Sequence, residues 1–426
     1  MRSSPALFFY RAAAAALGPF ASLWLSARAR AGKEDAARLP ERYGRYAFLR
    51  PPGKLVWLHA ASVGESGVAL QLVESLSAGD PALSFLISTG TRTSAELVAR
   101  RANARTNHAY APMDRADAVG RFLAHWRPDL GVFVESEIWP NLILAAQHAG
   151  TPLALVNARM SRASLNRWRT WSAAGRRLLR AFAFVSAADA RTAAALSDLR
   201  GAPVPAPGNL KLAATAPRIT ADARDMLASE IGIRSHWLAA STHAGEDEIV
   251  LAAHARLRET HPDALLVIAP RHPERGADIA ALAGGAPRRS SFEPIAGAPV
   301  YVADTLGELG LFYGLAPVAL VAGSLLPKLK GHNPIEPAKL GAAILTGPHV
   351  ESFEDVFAAL IAAEGAQIVE SAERLASAVA ALWADEAART RQCAAARAVV
   401  EQGAQALDET AAALSALLAG DVNAPA

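Results

Sequence analysis

Short apolar runs alternate with segments of helical periodicity along most of the chain. The runs lie at residues 55–58, 83–87, 130–134 and 153–156 in the first half, and at 237–239, 264–269, 300–302, 318–321 and 343–345 in the second. Strands that are apolar on both faces are typical of a parallel sheet covered by helices on both sides. The pattern therefore predicts an α/β protein with two series of doubly wound, parallel strands.

The two series begin alike and are separated by a proline-rich stretch. The first opens with W-L-H-A-A-S-V-G-E at Trp57, the second opens with W-L-A-A-S-T-H-A-G-E at Trp237, and residues 202–208 read A-P-V-P-A-P-G. Because such a stretch has the composition of a stiff linker, we expect two domains facing across a cleft, at 31–208 and 209–400. An N-terminal segment at 1–30 and a C-terminal helix and tail at 401–426 flank them.

The first thirty residues contain an apolar stretch that allows several interpretations. Residues 12–25 read A-A-A-A-A-L-G-P-F-A-S-L-W-L, followed by Arg28, Arg30 and Lys33. The stretch is shorter than the ~20 apolar residues of a spanning helix, and a Gly-Pro pair interrupts it. We expect a helix in the membrane interface or a marginal anchor held by basic flanks; a signal peptide and an ordinary buried helix are the alternatives.

Charge divides unevenly between the halves of the chain. Residues 1–208 carry 26 Lys and Arg against 14 Asp and Glu, a net charge of +12, whereas residues 209–426 carry 17 against 26, a net charge of −9. The first half is therefore expected to meet an anionic partner. Cys393 is the only cysteine, which excludes an intrachain disulfide and a zinc site of several thiolates, and favours a cytoplasmic compartment.

Several catalytic signatures are missing from the sequence. It contains no P-loop, no G-x-G-x-x-G, no H-E-x-x-H, no G-x-S-x-G and no Asp-x-Asp pair to hold a metal against a diphosphate. Candidate residues, most of them polar, stand instead in loops that follow the predicted strands or the linker, where ligands of doubly wound sheets bind. They are Glu65, Glu135, Glu137, Lys211, Arg271, His272, Gly307, Asn333, Pro334 and Glu336.

Each of these residues also has an ordinary structural explanation. In A-S-V-G-E, Ser62 and Glu65 match a capping box, and such a cap contributes about 1 kcal/mol without any chemistry. Asn333 as N-cap, Pro334 at the first helical position and Glu336 at the third match a second one. It is their shared location at strand-to-helix loops of two sheets that favours a functional site.

Taken together, these motifs resemble those of the Kdo transferases, which move 3-deoxy-D-manno-octulosonic acid (Kdo) from CMP-Kdo onto a lipid A precursor. The resemblance includes H-A-A-S-V-G-E, E-S-E-I-W-P-N-L, V-N-A-R-M-S, G-N-L-K, P-R-H-P-E-R and G-H-N-P-I-E-P-A, and extends to about residue 400. It implies a GT-B glycosyltransferase of lipopolysaccharide core biosynthesis on the cytoplasmic face of the inner membrane. The first Rossmann-like domain would bind the acceptor and the second would bind CMP-Kdo, with no metal cofactor and no nucleic-acid partner.

Carried over to this sequence, the resemblance implies that Glu65 is the catalytic base and that Glu135 and Lys211 stabilise the transition state. CMP contacts fall on Pro270, Arg271, His272, Leu306, Gly307, Glu308, Asn333, Pro334, Ile335 and Glu336. Leu306 departs from the methionine that the family often has. In chemical terms, a carboxylate can take the proton of an acceptor hydroxyl, a second can stabilise an electron-poor anomeric carbon, and cations can neutralise the leaving phosphate.

A basic and aromatic segment is the expected binding site of the acceptor, and two alternative functions also fit the sequence. Residues 167–184 interleave five arginines with aromatic residues, which suits an anionic membrane surface or a lipid phosphate, although a solvated basic helix would look the same. A GT-B enzyme that uses another nucleotide sugar remains open, because no spacing identifies the base. So does a membrane-tethered, two-lobed solute-binding protein, which would be cleaved near Ala29 and would tolerate Glu65→Gln.

Overall fold

Each apolar run of the sequence forms a buried strand in one of two six-stranded parallel sheets. The computed structural model describes residues 4–135, 138–161, 164, 167, 168, 170–213, 219–295 and 297–420. The first sheet has the order β3-β2-β1-β4-β5-β6, and its strands are β1 (Leu55–Ala60), β2 (Ser84–Thr89), β3 (Thr106–Tyr110), β4 (Leu130–Val134), β5 (Leu153–Ala158) and β6 (Phe184–Ala187). The second has the order β12-β11-β10-β7-β8-β9, and its strands are β7 (His236–Thr242), β8 (Leu265–Pro270), β9 (Val300–Val302), β10 (Val318–Val321), β11 (Ala343–Thr346) and β12 (Ala366–Ile368).

Helices cover both faces of each sheet. The α-helices are α1 (Pro5–Ala16), α2 (Ala21–Arg30), α3 (Leu39–Arg42), α4 (Val63–Gly79), α5 (Arg92–Arg101), α6 (Ala116–Trp126), α7 (Pro140–His148), α8 (Ser172–Leu179), α9 (Ala190–Arg200), α10 (Ala221–Ile231), α11 (Glu246–Thr260), α12 (Gly276–Leu282), α13 (Leu309–Leu315), α14 (Ile335–Leu340), α15 (Glu354–Ala362), α16 (Ala372–Ala384) and α17 (Glu386–Ala419). Short 3-10 helices lie at Gly18–Phe20, Ala36–Arg38, Leu210–Ala213, Pro273–Arg275, Arg289–Ser291 and Glu351–Phe353.

The two sheets share one topology. When the second is read from its other edge, β9-β8-β7-β10-β11-β12 repeats the order of β3-β2-β1-β4-β5-β6. In each sheet the strand order reverses beside the first strand, between β1 and β4 and between β7 and β10. Such a switch point opens a crevice at the carboxyl ends of the strands. The doubly wound α/β fold predicted from the sequence is confirmed.

Alternating side chains of the central strands fill two apolar layers. In β1, Leu55 and Trp57 pack with Phe122 and Phe133 on one side of the sheet. Val56 and Leu58 belong to the cluster on the other side, which includes residues of α4. Burying one such side chain contributes about 1.5–3 kcal/mol, so both layers stabilise the strand that leads to Glu65.

The chain divides into two compact units at Ala213. The N-terminal unit comprises Met1–Ala213 and Gly403–Ala426, and the C-terminal unit comprises Ala214–Gln402. The proline-rich stretch, where the sequence predicted a boundary at 208/209, packs within the N-terminal unit, because Pro205 O accepts from Ala187 N and Val204 is buried. Residues from Gly403 onward in α17 belong to the N-terminal unit, and Ala406, Ala411 and Leu414 pack in its core.

The N-terminal segment forms two helices that are bent by 67° at their break. Leu7 and Leu25 are buried, and Tyr10 Oη donates to Asp114 Oδ2 at 2.8 Å, while most of the other large apolar side chains are exposed. Within the described residues, no single helix has the length and apolarity to cross a membrane, although α1 and α2 together pass that test of length and composition. Membrane attachment of this segment stays a prediction.

His254 in the C-terminal unit makes stability depend on pH. Its Nδ1 accepts from Trp237 Nε1 at 3.2 Å and its Nε2 donates to Pro299 O at 2.8 Å, so a second proton would face an N–H donor. Burial lowers the pKa of His254 from 6.5 to about 4. Between these values the unfolded chain binds a proton that the folded chain does not, and the free energy of unfolding therefore falls as the pH falls.

We expect His254→Gln, which can still accept and donate, to reduce this acid sensitivity. The difference in slope should approach roughly 1.4 kcal/mol per pH unit between pH 6.5 and 4. Urea unfolding of wild type and variant at several pH values measures it. His148→Gln, at an exposed position, is the matched control and should leave the wild-type slope unchanged. Equal slopes for wild type and His254→Gln would contradict the prediction.

Candidate active site

Glu65 lies at the first turn of α4, directly after β1. The predicted capping box is confirmed: Ser62 Oγ accepts from Glu65 N at 3.3 Å, and Glu65 Oε2 accepts from Ser62 N at 3.4 Å. Ala61 N donates to the same oxygen at 2.6 Å, and Ser62 Oγ donates to Oε1 at 3.0 Å. The carboxylate is therefore held in one orientation, with 8% of the residue exposed.

Glu135 directly follows β4, on the other side of the switch point from Glu65. Its backbone has φ +61°, a left-handed conformation that is uncommon outside glycine and is concentrated at functional sites. Glu135 N donates to Val156 O of β5 at 2.9 Å, which anchors the turn to the sheet. Glu137 lies outside the described residues.

Lys211 brings the predicted catalytic residues together. Its Nζ lies 2.6 Å from Glu135 Oε1, and both side chains are partly buried. A Cβ placed on Gly64 would lie 3.4 Å from Lys211 Cε, so the lysine passes directly over the first turn of α4 beside Glu65. Lys211 thus pairs with Glu135 after β4 and lies against Gly64, the residue before Glu65, at the switch point of the N-terminal sheet.

Asn157 supports this arrangement, and the sequence analysis gave it no role. Lys211 lies on the 3-10 helix Leu210–Ala213, and Asn157 Oδ1 accepts from Leu210 N at 2.9 Å. Asn157 itself is buried at the end of β5 with φ +53°, a conformation that asparagine tolerates better than most residues. Its signal in the sequence was the motif V-N-A-R-M-S, where an amide follows an apolar strand.

We expect Asn157→Ala to lower kcat by roughly tenfold or more, because the segment that carries Lys211 loses its anchor. Asn157→Gly is the matched variant: it also lacks the amide but accommodates the positive φ. Both variants should have a lower kcat, and only Asn157→Ala should also lower the free energy of unfolding by about 1 kcal/mol, because alanine is strained at a positive φ. Steady-state kinetics and urea unfolding separate the two effects. Wild-type kcat in both variants would show that Asn157 does not position Lys211.

The residues predicted to contact CMP lie at loops of the C-terminal sheet. Pro270 ends β8, Arg271 N donates to Thr242 O of β7 at 3.0 Å, and the His272 ring meets the His243 ring edge-on at 5.7 Å. His243 stacks on His332 with the rings 5.1 Å apart and their Nε2 atoms 2.8 Å apart. The structure therefore clusters Arg271 and His272 with the loop that leads into Asn333.

The histidine pair and the carboxylate beneath it were not singled out in the sequence. Burial, together with the neighbouring His243, Arg271 and His272, lowers the pKa of His332 to about 4, so the His332 ring is neutral at neutral pH. Glu246, fully buried, accepts from the backbone N–H groups of His243, Gly323, Ser324 and Leu325 at 2.8–3.1 Å. These bonds tie the loop after β7 to the loop after β10 at the second switch point.

The two remaining CMP-contact segments differ in detail from the prediction. Gly307, with φ +85°, precedes the helix instead of starting it, because Glu308 is the N-cap of α13. Glu308 pairs with Arg289 at 2.7 Å, and Leu306 is 83% exposed.

The predicted second capping box is also shifted by one residue. The N-cap of α14 is Pro334, with Ile335 as the first helical residue, so Asn333 lies outside the helix. Asn333 Oδ1 accepts from Ile335 N at 3.0 Å, and its Nδ2 donates to Glu336 Oε1 at 3.2 Å. Asparagine thus caps from one position further out, because its side chain reaches the N–H two residues along.

Comparison with known proteins identifies the family. A sequence model of the 3-deoxy-D-manno-octulosonic-acid transferase (kdotransferase) family matches residues 37–214. The 3-deoxy-D-manno-octulosonic acid transferase of Bordetella pertussis is 35% identical over 405 residues, which cover 91% of this chain and 94% of that protein. The chain belongs to the Kdo transferase family. The 3-deoxy-D-manno-octulosonic acid transferase of Haemophilus influenzae is 35% identical and covers 83% of this chain and 85% of that protein. A probable mitochondrial 3-deoxy-D-manno-octulosonic acid transferase of Arabidopsis thaliana is 34% identical and covers 86% of this chain and 85% of that protein.

Solved structures bear out the fold of this Kdo transferase. MurG from Acinetobacter baumannii aligns with a TM-score of 0.52 at 16% identity, over 81% of this chain and 95% of that chain. A glycosyltransferase from Rickettsia africae aligns with a TM-score of 0.52 at 11% identity, over 86% and 99%. These likenesses show the GT-B fold alone, and the family membership makes the chain a glycosyltransferase.

Proposed function

We propose that this protein transfers Kdo from CMP-Kdo to a lipid A precursor in lipopolysaccharide core biosynthesis, with Glu65 as the general base. The observation that carries the proposal is the convergence of Glu65, Glu135 and Lys211 at one switch point in a chain of the Kdo transferase family. Relatives that span most of the chain carry the name of the same activity.

The acceptor hydroxyl is the nucleophile, and it needs a base. Glu65 accepts its proton as the oxygen attacks the anomeric carbon of Kdo, a contribution of typically 10²–10⁴-fold. The three hydrogen bonds from Ala61 and Ser62 orient the carboxylate before the substrate arrives. The capping box and the catalytic role are thus compatible, since the helix start positions the base.

The donor loses CMP as the new glycosidic bond forms. The bond between the anomeric carbon and the phosphate oxygen breaks, and its electron pair leaves with CMP. Glu135 stabilises the positive charge that develops on the sugar. Lys211, which is paired with Glu135, stabilises the negative charge that develops on the leaving phosphate. Arg271 and His272 with the loops around Leu306–Glu308 and Asn333–Glu336 hold the nucleotide. No resident metal takes part in this scheme, and metal independence stays a prediction.

The acceptor and the membrane belong to the N-terminal unit in this proposal. Arg176 and Arg177 on α8 and the exposed aromatic side chains of α1 and α2 present a basic and apolar surface. Such a surface suits the anionic cytoplasmic face of the inner membrane, where each basic residue contributes about 1 kcal/mol to binding.

A comparison of donors tests the proposal. Purified protein should release CMP from CMP-Kdo only when a tetra-acylated lipid A precursor is present, and should not turn over UDP-sugars with the same acceptor. Turnover of a UDP-sugar would favour the alternative GT-B activity. Binding of a sugar without any turnover would favour the solute-binding alternative.

A further inference from the structure

A cavity in the N-terminal unit lies between α1 and α8, apart from the catalytic groups. It measures about 390 Å³, within the range of about 300–1,000 Å³ that ligand cavities in proteins have. Its walls are mostly apolar and include Leu7, Ile138, Trp168, Ala174 and Leu178. Leu7, Ala174 and Leu178 are themselves buried, so the walls belong to the packed core of the unit.

The mouth of this cavity is amphipathic and cationic. Tyr10, Ser164 and Arg167 line it together with Trp171, which is 59% exposed, and the described lining residues include no carboxylate. Arg176 and Arg177 lie on the same helix as Ala174 and Leu178. An anionic lipid fits such a cavity, because its acyl chain can bind in the apolar interior and its phosphate can bind the arginine at the rim.

The cavity shares a loop with the catalytic site. Ile138 and Pro140 line it, and Glu135 precedes Ile138 by three residues, so their Cα atoms lie within about 11 Å of one another. Trp139, between Ile138 and Pro140 in the chain, packs its ring edge-on against the buried His59 ring of β1, with the ring centres 5.1 Å apart. A single acceptor molecule can therefore reach both the cavity and the switch point.

We propose that this cavity receives an acyl chain of the anionic glycolipid acceptor and thereby sets the preference for an acylated substrate. The inference rests on the proposed function, because it takes the acceptor class from there. A chain seated between α1 and α8 would hold the phosphorylated sugar beside the loop that carries Glu135.

Filling the cavity tests the inference. Ala6 lies on α1 and lines the cavity, whereas Ala13 lies on the same helix, is exposed and does not line it. Ala6→Phe and the control Ala13→Phe add the same apolar surface. Transfer is measured in detergent with the tetra-acylated acceptor and with the same phosphorylated disaccharide after removal of its acyl chains. Trp171→Ala, at an exposed position of the mouth, provides a second variant.

We expect Ala6→Phe, which fills the cavity, and Trp171→Ala, which removes part of its lining, to raise KM for the acylated acceptor by about tenfold. Losing the burial of about two methylene groups is sufficient for that change. KM for the deacylated acceptor and the kinetics of Ala13→Phe should stay at wild-type values. Equal behaviour of Ala6→Phe and Ala13→Phe, or an equal loss on both acceptors, would overturn the inference. A variant that changes only flotation with anionic vesicles would assign the cavity to bilayer lipid and overturn it as well. Absence of transfer by the wild type would instead contradict the proposed function.

Discussion

Glu65→Gln is expected to abolish Kdo transfer while CMP binding stays at its wild-type value. Glutamine keeps the size of the side chain, and its amide oxygen can still accept from Ala61 N, which donates to Glu65 at 2.6 Å. What it cannot do is take a proton from the acceptor hydroxyl. We therefore expect kcat to fall by roughly 10²–10⁴-fold. Steady-state kinetics with CMP-Kdo and calorimetry with CMP measure the two quantities.

Ser62→Ala is the matched control for the capping role of Glu65. It removes the hydroxyl that accepts from Glu65 N and donates to Glu65 Oε1, but it leaves the carboxylate in place. We expect it to lower the free energy of unfolding by about 1 kcal/mol and to keep most of the activity. If Glu65→Gln retained a tenth of wild-type kcat, the residue would be a cap and not the base.

Lys211→Ala is expected to lower kcat by roughly 10²–10³-fold with little change in CMP affinity, as the loss of a transition-state contact does. The change also leaves Glu135 without the ammonium that lies 2.6 Å away, so two catalytic groups are affected by one substitution. Lys211→Arg keeps the charge and should recover part of kcat. The measurements are kcat in saturating CMP-Kdo and CMP binding by calorimetry.

Arg271→Ala is expected to weaken CMP binding, in contrast to Lys211→Ala, which is expected to lower kcat. Arg271 clusters with His243 and His332 at the C-terminal switch point, so its removal should weaken CMP binding. If Lys211→Ala and Arg271→Ala weakened CMP binding equally, Lys211 would be a ground-state clamp and not a transition-state contact.

The apolar pattern predicts the central strands and the edge strand Val300–Val302 correctly, and it misses the other three edge strands. Thr106–Tyr110 and Phe184–Ala187 are the edges of the first sheet, and Ala366–Ile368 is an edge of the second. Thr106–Tyr110 reads T-N-H-A-Y with three half-buried residues, because an edge strand has a neighbour on one side only. A short strand with partial burial lacks the continuous apolar run by which the others were recognised.

The sequence placed the site residues at strand ends, but it could not show which of them meet. Glu135 and Lys211 are far apart along the chain, and their contact depends on Asn157 holding Leu210 and on the left-handed turn at Glu135. Those are tertiary and backbone features that no local pattern predicts. The shift of the α14 start to Ile335 has a local cause, since Asn333 caps from outside the helix.

The repeated strand–loop–helix motif carries a structural carboxylate in one sheet and the proposed base in the other. Glu246 follows β7 as Glu65 follows β1, but Glu246 is fully buried and accepts four backbone hydrogen bonds. Its lone pairs are used in tying two loops together. Glu65 is 8% exposed, accepts from Ala61 and Ser62 of its own helix start, and follows Gly64, against which Lys211 lies. Both glutamates end similar motifs in the sequence, and it is their burial and their hydrogen-bond partners that distinguish them.

The mass of the acceptor after reaction tests the proposed activity most directly. Purified wild-type protein and Glu65→Gln are incubated with CMP-Kdo and a tetra-acylated lipid A precursor, and the lipid is analysed by mass spectrometry. The wild type should add one or more whole Kdo residues and release an equal amount of CMP, and Glu65→Gln should leave the lipid unchanged. An unchanged lipid with the wild type, or an equal gain of Kdo with both proteins, would contradict transfer of Kdo by a site in which Glu65 is the base.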